Sequence, residues 1–221
     1  MHQLMNILKS SNLMMKLIIK TLCNIHSFMY FLIGQLATRI NHGISPKHEI
    51  MKYHDFFLEN ITANDTVLDV GCGNGIVTRD LSKKAREIIG IDILNRSIQK
   101  ARKDCSHKNV QFICGDATKY TFKTTFNAII LSNVLEHIEN RVEFLHRIRP
   151  LSKKFLIRVP MIDRDWLTLY KESIGAVWRL DNTHYTEYTF ASFKKELDLA
   201  GLHIKKYSIQ FGEIWAVAEY E

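Results

Sequence analysis

Glycine, proline and cysteine are scarce in this chain of 221 residues. Its 10 glycines and 3 prolines are too few for a collagen-like or low-complexity sequence. Its four cysteines form no C-x-x-C pair and show no ligand-like spacing with histidine, so the sequence indicates neither a zinc site nor a disulfide framework. We therefore predict no metal ligands and expect a reducing, cytoplasmic environment.

A long uninterrupted apolar run is also missing. The stretch 13–37 is rich in apolar residues, but polar side chains interrupt it at Lys16, Lys20, Asn24, His26 and Gln35. No run therefore approaches the roughly 20 residues of a membrane-spanning helix, and the segment order of a signal peptide is absent. Two interpretations remain: a helix that packs on the domain, which we favour, or a helix that lies on a membrane surface, here the inner one.

Negative charge is in the minority. Lys and Arg number 30 against 23 Asp and Glu, which gives a formal charge of +7 and a pI of about 9.2. Such an excess attracts nucleic acid, membrane surfaces or phosphorylated acceptors. The basic residues are spread along the chain, however, and their longest runs are pairs such as Lys83-Lys84. We do not expect nucleic acid as the partner, and the oligomeric state stays open.

The first 60 residues form a predicted helical extension. Residues 1–45 predict one or two apolar-rich helices that end at Asn41-His42-Gly43 and before Pro46, because proline cannot continue a helix. Residues 47–60 predict another helix. We place the main domain at 61–221.

From Thr66 onward, short apolar runs alternate with helical patterns. The predicted strands are 66–70, 87–91, 110–114, 128–131 and 155–159. Predicted helices follow the first strand and also cover 98–102, 134–148 and 190–200. The last two strand-like runs, 202–210 and 213–220, predict an antiparallel hairpin. The pattern predicts an α/β, Rossmann-like fold: a mostly parallel seven-stranded sheet with an antiparallel C-terminal strand and helices on both faces.

A glycine-rich stretch follows the first predicted strand: Asp69-Val70-Gly71-Cys72-Gly73-Asn74-Gly75. Glycine at every second position lets the backbone turn sharply and approach a ligand closely. A dinucleotide-binding fingerprint needs a small residue at position 76, where this chain has Ile76, and the Lys-Ser/Thr pair of a P-loop is absent. The loop therefore favours a ligand without a pyrophosphate.

Three further motifs follow this loop in order. They are Gly90-Ile91-Asp92, Gly115-Asp116-Ala117 and Leu131-Ser132-Asn133-Val134-Leu135-Glu136-His137. With the stretch 67–75, they resemble the motifs of class I S-adenosylmethionine-dependent methyltransferases, in particular small-molecule and glycan enzymes of the type 11-like kind. The motifs span 67–137, and the later strand and helix pattern extends the resemblance to the C-terminus.

The resemblance implies that S-adenosylmethionine binds at the strand ends. It places Asp92 on the ribose hydroxyls and Asp116 with Ala117 on the adenine. It places Asp69 and the glycine loop on the methionine end, with Ser132 or Asn133 closing over it. The predicted cofactor-binding residues are Asp69, Gly71, Cys72, Gly73, Gly75, Asp92, Ile93, Asp116, Ala117, Ser132 and Asn133.

Two histidines are candidates for the catalytic base that assists an alcohol acceptor. His137 begins the helix predicted after the fourth strand. His184 lies in 181–189, which resembles the approach to the last helix in small-molecule members of the family, and we favour it. The long connection 160–188 predicts either the acceptor pocket or a short helix that packs Trp166 and Trp178 into the core.

These features predict an S-adenosylmethionine-dependent O-methyltransferase that acts on a small molecule, a sugar or a lipid-linked glycan. Nucleic-acid amino methyltransferases carry N/D-P-P-Y/F after the fourth strand, where this chain has Ser132-Asn133-Val134-Leu135. Two alternatives remain open: an RNA methyltransferase, suggested by the positive charge, and a non-catalytic S-adenosylmethionine-binding partner subunit that has lost its acceptor site.

Overall fold

The computed structural model describes residues 2–220, with side chains from residue 11 onward. The chain divides into two compact units. The helical unit comprises Met1–Ile50 and Ile162–Asn182, and the sheet unit comprises Met51–Met161 and Thr183–Glu221. This division differs from the predicted boundary at residue 60, because residues 51–60 belong to the sheet unit and an insert from the later chain belongs to the helical unit.

A seven-stranded sheet forms the core of the sheet unit. Its strands are β1 (Thr66–Val70), β2 (Glu87–Asp92), β3 (Val110–Cys114), β4 (Ala128–Ser132), β5 (Lys154–Pro160), β6 (His203–Gln210) and β7 (Glu213–Glu219). Their order across the sheet is β3-β2-β1-β4-β5-β7-β6. Strands β1 to β5 pair in parallel, and β7 runs antiparallel between β5 and β6. The predicted fold class is confirmed.

The antiparallel end of the sheet follows from its turn. Phe211 and Gly212, between β6 and β7, both have positive φ, at 52° and 72°. Two consecutive residues with positive φ form the tight turn whose twist matches that of a hairpin. The predicted hairpin is therefore confirmed, and β7 returns beside β5.

Helices cover both faces of this sheet. The α-helices of the described residues are α1 (His2–Ile40), α2 (Lys47–Met51), α3 (Tyr53–Glu59), α4 (Ile76–Leu81), α5 (Asn95–Asp104), α6 (Arg141–Ile148), α7 (Trp166–Ser173) and α8 (Phe190–Leu199). Ile129 of β4 belongs to one buried cluster with Phe193 of α8. Its neighbour Ile130 belongs to a second cluster with Phe57 of α3 and Leu81 of α4. Successive strand residues point to opposite faces, so each face has its own core.

Two predicted helices are interrupted. The helix predicted over 47–60 is two helices, α2 and α3, because Lys52 adopts a left-handed conformation with φ 49°. The helix predicted over 134–148 is a 3-10 turn, Leu135–His137, followed by α6, because Ile138 is extended and breaks the helical ladder. The prediction that His137 begins the longer helix is therefore wrong, because His137 ends a separate turn.

Helix α1 exposes its apolar side chains. It ends as predicted, before Gly43 with φ 84°. Among residues 11–40 only Cys23 is buried, whereas Leu13 is 71% exposed and Leu17 66% exposed. Within the helical unit these side chains have little cover, and the favoured interpretation, a helix that packs on the domain, stays a prediction. By length and composition alone, Ser11–Ile40 could also cross a membrane, which its polar interruptions had argued against.

The 162–182 insert contacts α1 through polar groups. The backbone of Val177 accepts a hydrogen bond from the Ser27 hydroxyl at 2.7 Å and donates one to the Asn24 side chain at 2.9 Å. The short helix expected in this connection is α7, whose first turn is capped by Asp165. Trp166 is 75% exposed, so this helix does not pack Trp166 into a core.

Candidate active site

A cavity opens at the carboxyl ends of β1, β2, β3 and β4. This edge cavity has a volume of about 510 Å³. Six of the predicted cofactor-binding residues line it: Gly71, Asp92, Ile93, Asp116, Ala117 and Asn133. Parallel strands bring their carboxyl ends to one edge, and ligands of open α/β sheets bind there.

The glycines of the loop are required for different reasons. Gly71 has φ 66°, and a Cβ there would lie 2.7 Å from the Cγ2 of Val134. Gly75 has φ 74°, and a Cβ there would lie 2.8 Å from the ring of Phe112. A side chain at Gly73 would meet nothing within 4 Å, so only its φ of 54° favours glycine. Close packing therefore holds both ends of the loop.

The two carboxylates of the edge cavity are held by backbone donors. Asp92 accepts hydrogen bonds from the backbone N–H of Gly73 and of Leu94, each at 2.8 Å. Asp116 accepts from the backbone N–H and the hydroxyl of Thr118, and this hydroxyl lowers the pKa of the Asp116 carboxyl. Both side chains are anchored at the cavity and present a carboxylate to it.

The other five predicted cofactor residues are outside the lining of the edge cavity. Asp69 is buried and accepts a 2.6 Å hydrogen bond from the Thr78 hydroxyl of α4. Burial raises the pKa of Asp69 to about 7 and also raises the pKa of the Cys72 thiol. The Ser132 hydroxyl accepts a hydrogen bond from Arg158 at 3.3 Å. Asp69, Cys72, Gly73, Gly75 and Ser132 do not line the edge cavity.

The structure brings the two candidate histidines together. The rings of His137 and His184 lie edge to face, with their centroids 4.6 Å apart. His184 is buried, and its Nδ1 lies 2.9 Å from the carboxylate of Glu187. His137 is exposed, lines the edge cavity and has its Nδ1 2.9 Å from the Thr183 hydroxyl. Because Glu187 accepts at Nδ1, the Nε2 of His184 is the nitrogen that can accept a proton.

Glu136 is a candidate site residue that the sequence-based prediction did not include. It is fully buried, and neither carboxylate oxygen has a hydrogen-bond partner among the described residues. Burial raises the pKa of Glu136 to about 8. Asn133, with φ 54°, likewise leaves its buried Oδ1 without a partner there. Buried polar atoms normally have partners, so both groups point to a ligand. The sequence feature that could have identified Glu136 is its position next to His137 in the fourth motif.

Glu136, His137 and His184 also form a donor set for a metal ion. One ligand atom from each lies within 4.8 Å of the others. Glu187 lies against the Nδ1 of His184, and carboxylates commonly hold metal-bound histidines by one ring nitrogen. The sequence predicts no metal ligand, but the orphaned carboxylate fits a divalent cation. A cation there would lower the pKa of a bound hydroxyl group.

Comparison with known proteins shows the family. A model of the methyltransferase domain matches residues 41–207, more than half of the chain. The chain belongs to this family. It is a class I S-adenosylmethionine-dependent methyltransferase, which confirms the predicted recognition, the methyl-transfer class of enzyme and the cofactor.

Individual relatives of this methyltransferase have different names. It is 28% identical to a ubiquinone biosynthesis O-methyltransferase of Bradyrhizobium diazoefficiens, over 52% of this chain and 46% of the relative. It is 33% identical to a Pyrococcus abyssi protein named "Probable ribosomal RNA small subunit methyltransferase A", over 52% of this chain and 44% of that protein. The chain thus spans about half the length of these curated relatives.

A solved structure extends the likeness to nearly the whole fold. The magnesium protoporphyrin IX methyltransferase of Synechocystis PCC 6803, solved with bound SAH, superimposes with a TM-score of 0.64 at 17% identity. The match covers 93% of this methyltransferase and 100% of that chain. At this identity the likeness concerns the fold alone.

A second cavity adjoins the edge cavity in this methyltransferase. The adjacent cavity measures about 530 Å³ and shares Ile93, Asp116 and His137 with the edge cavity. Basic side chains, Lys119 and Arg147, line it as well. Of the connection 160–188, only Thr183 and Tyr185 line either cavity. The expectation that this connection builds the acceptor pocket stays a prediction, because its residues 162–182 belong to the helical unit.

Proposed function

We propose that this methyltransferase transfers the methyl group of S-adenosylmethionine to a hydroxyl oxygen of a small-molecule, sugar or lipid-linked glycan acceptor. The observation that carries the proposal is the cluster of Glu136, His137 and His184, with His137 at the wall of both cavities. Cofactor in the edge cavity and acceptor in the adjacent cavity meet at this cluster. An alcohol is a weak nucleophile, and the cluster supplies what its activation requires.

His184 acts as the base in this proposal. Glu187 holds the Nδ1 proton of His184, and His137 alone of the two histidines lines the cavities. The proton of the acceptor hydroxyl therefore reaches the Nε2 of His184 by way of the His137 ring, while the oxygen bonds to the methyl carbon and the sulfur–carbon bond breaks. The Glu187 carboxylate then stabilises the imidazolium that forms. The cofactor supplies a methyl group on a sulfonium, so the remaining task of the protein is alignment. Asp92 and Asp116 provide it by holding the nucleoside.

The test of the base uses a matched pair of histidine substitutions. His184→Gln should lower kcat by about a hundredfold or more and leave cofactor affinity, measured by calorimetry, unchanged. The control is His146→Gln, because His146 is exposed on α6. The acceptor is found from cell extracts as a compound that gains one methyl group with the active enzyme. Equal kcat for both variants contradicts the role of His184.

A chelator separates the two ways of activating the hydroxyl. If His184 works as a base, removing divalent cations leaves the rate unchanged. A loss of activity that Mg²⁺ or Mn²⁺ restores assigns the cluster to a cation instead, with Glu136 as a ligand. Saturable cofactor binding without turnover on any acceptor supports the non-catalytic partner subunit.

RNA is the second candidate acceptor, favoured by the relative named for ribosomal RNA. Transfer of labelled methyl groups to bulk RNA, strongly weakened by salt, supports it. We expect instead that label enters the organic-solvent extract of cells. Label found in RNA alone contradicts the small-molecule proposal.

We also propose that this enzyme is cytoplasmic and contacts the inner membrane surface through α1. The support is the exposed apolar surface of Ser11–Ile40 together with its neighbouring basic residues. The full-length protein should sediment with phosphatidylcholine vesicles, and replacing Leu17, Ile18 and Leu22 with serine should abolish this. Equal sedimentation of both proteins contradicts the contact.

A further inference from the structure

The helical unit contains a small cavity with basic walls. This basic pocket has a volume of about 160 Å³, and its walls include His26, Ser27, Arg164, Lys171, Trp178 and Arg179. All of these residues belong to α1 or to the 162–182 insert. One lysine and two arginines thus line one cavity. Among the described residues a single carboxylate, that of Asp165, also lines it.

Lys171 is buried beneath this pocket. Only 6% of the residue is exposed, and its ammonium group donates to the Nδ1 of His26 and to the Ser27 hydroxyl, each at 2.9 Å. Neither partner is an anion, and burial lowers the pKa of Lys171 although Asp165 opposes the shift. A buried ammonium without a hydrogen-bonded anion is costly, and an anion in the pocket offsets that cost.

Two guanidinium groups complete the basic walls. Arg164 donates a 2.6 Å hydrogen bond to the backbone oxygen of Trp178, and the Arg179 guanidinium lies over the Trp178 ring, 4.7 Å from its centroid. Asp165 faces the same cavity, but its carboxylate accepts from the backbone N–H and hydroxyl of Thr168 as the cap of α7. Guanidinium groups match the geometry of phosphate oxygens, so the excess of positive charge suits a phosphate.

The surroundings of the basic pocket are apolar. Phe31 lines the pocket and is 57% exposed, and Phe28 and Trp166 of the same unit are also largely exposed. Residues 1–50 carry five Lys and Arg against one acidic residue, Glu49. A ligand that places a phosphate among the cations and hydrocarbon along the exposed rings satisfies both features.

We infer that the basic pocket binds the headgroup phosphate of an anionic phospholipid. The inference rests on the proposed membrane contact of α1 and names the group that this contact recognises. A phosphodiester sits among Lys171, Arg164 and Arg179, while the acyl chains run along the exposed apolar side chains of the helical unit. No methyl transfer is involved, so the pocket acts independently of the sheet unit's chemistry.

The experiment titrates the full-length protein with dihexanoyl phosphatidylglycerol below its micelle concentration. A soluble lipid presents no charged surface, so diffuse attraction does not contribute. Saturable binding is expected, and Lys171→Gln and Arg179→Gln should each weaken it about tenfold, the value of one charge-assisted hydrogen bond. The matched control is Lys16→Gln, which removes the same charge from an exposed position of α1 outside the pocket. Its affinity should equal that of the wild type.

Further measurements decide between sources of phosphate. Inorganic phosphate should bind at least about tenfold more weakly than the lipid, because it lacks the apolar contacts. Equal binding of phosphate and lipid, an equal loss in Lys16→Gln, or no loss in Arg179→Gln overturns the inference. Arg179 is exposed, so its variant decides the outcome if Lys171→Gln fails to fold. If phosphatidylcholine vesicles still bind while the soluble lipid does not, the membrane contact stands and only the headgroup site fails.

Discussion

The sheet unit and the helical unit place their apolar residues in opposite environments. In β4, Ile129, Ile130 and Leu131 are completely buried. In α1, Leu17 and Ile33 are more than 60% exposed. Both units nevertheless bury ionisable side chains, Glu136 in the sheet unit and Lys171 in the helical unit.

The difference shows that an apolar segment does not by itself specify its surroundings. A strand in the middle of this sheet is covered by helices on both faces, so its apolar run is explained within the protein. A helix with apolar residues all around needs another medium or another partner. The exposed surface of α1 is therefore the feature of the chain that calls for a ligand outside the polypeptide.

The largest expected effect contrasts two leucines. Leu131→Ala should lower the free energy of unfolding by about 3 kcal/mol, because it leaves a cavity in the core of the sheet unit. Leu17→Ala should change it by less than about 0.5 kcal/mol, because that side chain is already exposed. Urea unfolding followed by circular dichroism measures both. Similar losses of unfolding free energy for the two variants would show that α1 is packed in solution and would contradict the contrast between the two units.

The next effect concerns the edge cavity alone. Asp92→Ala should weaken S-adenosylmethionine binding by roughly a hundredfold, because about two charge-assisted hydrogen bonds to the ribose are lost. Calorimetry measures the affinity, and vesicle binding should not change. Asp104→Ala is the control, since Asp104 is a surface carboxylate paired with Lys100 on α5. Unchanged affinity in the Asp92 variant would contradict the prediction that Asp92 binds the ribose hydroxyls.

The smallest effect, counted per pH unit, is a dependence of stability on pH. The pKa of Asp69 is about 7 in the folded chain, against an ordinary value of 3.8. Between about pH 4 and about pH 7 the unfolded chain has released this proton and the folded chain retains it, so stability falls as pH rises through this window. Asp69→Asn should remove that fall, which is at most roughly 1.4 kcal/mol per pH unit.

Urea unfolding of wild type and Asp69→Asn from about pH 5 to about pH 8 measures this difference. The difference in free energy of unfolding between the two proteins should widen up to about pH 7 and then stay constant. Asp104→Asn should show no such widening, because Lys100 lowers the pKa of Asp104. A difference that is constant throughout would indicate that Asp69 is ionised in the folded protein.

The nucleoside end of the site could be predicted because it depends on local sequence. Asp92 and Asp116 directly follow parallel strands, and the carboxyl ends of such strands meet at one edge. The positions of Asp69 and Ser132 could not be predicted in the same way. Their sequence neighbours face the edge cavity, but Thr78 and Arg158 bind these two side chains, which do not line it.

The alternation of strands and helices, the hairpin and the glycine loop were determined by the sequence alone, because periodicity, turn residues and glycine spacing act over a few neighbouring residues. The tertiary structure decided the rest. His137 and His184 are distant in the chain and meet only when residues 183–188 return beside β4 and β5. The same return leaves Glu136 buried without a partner. Burial and pairing of this kind depend on contacts between distant segments, which no local pattern records.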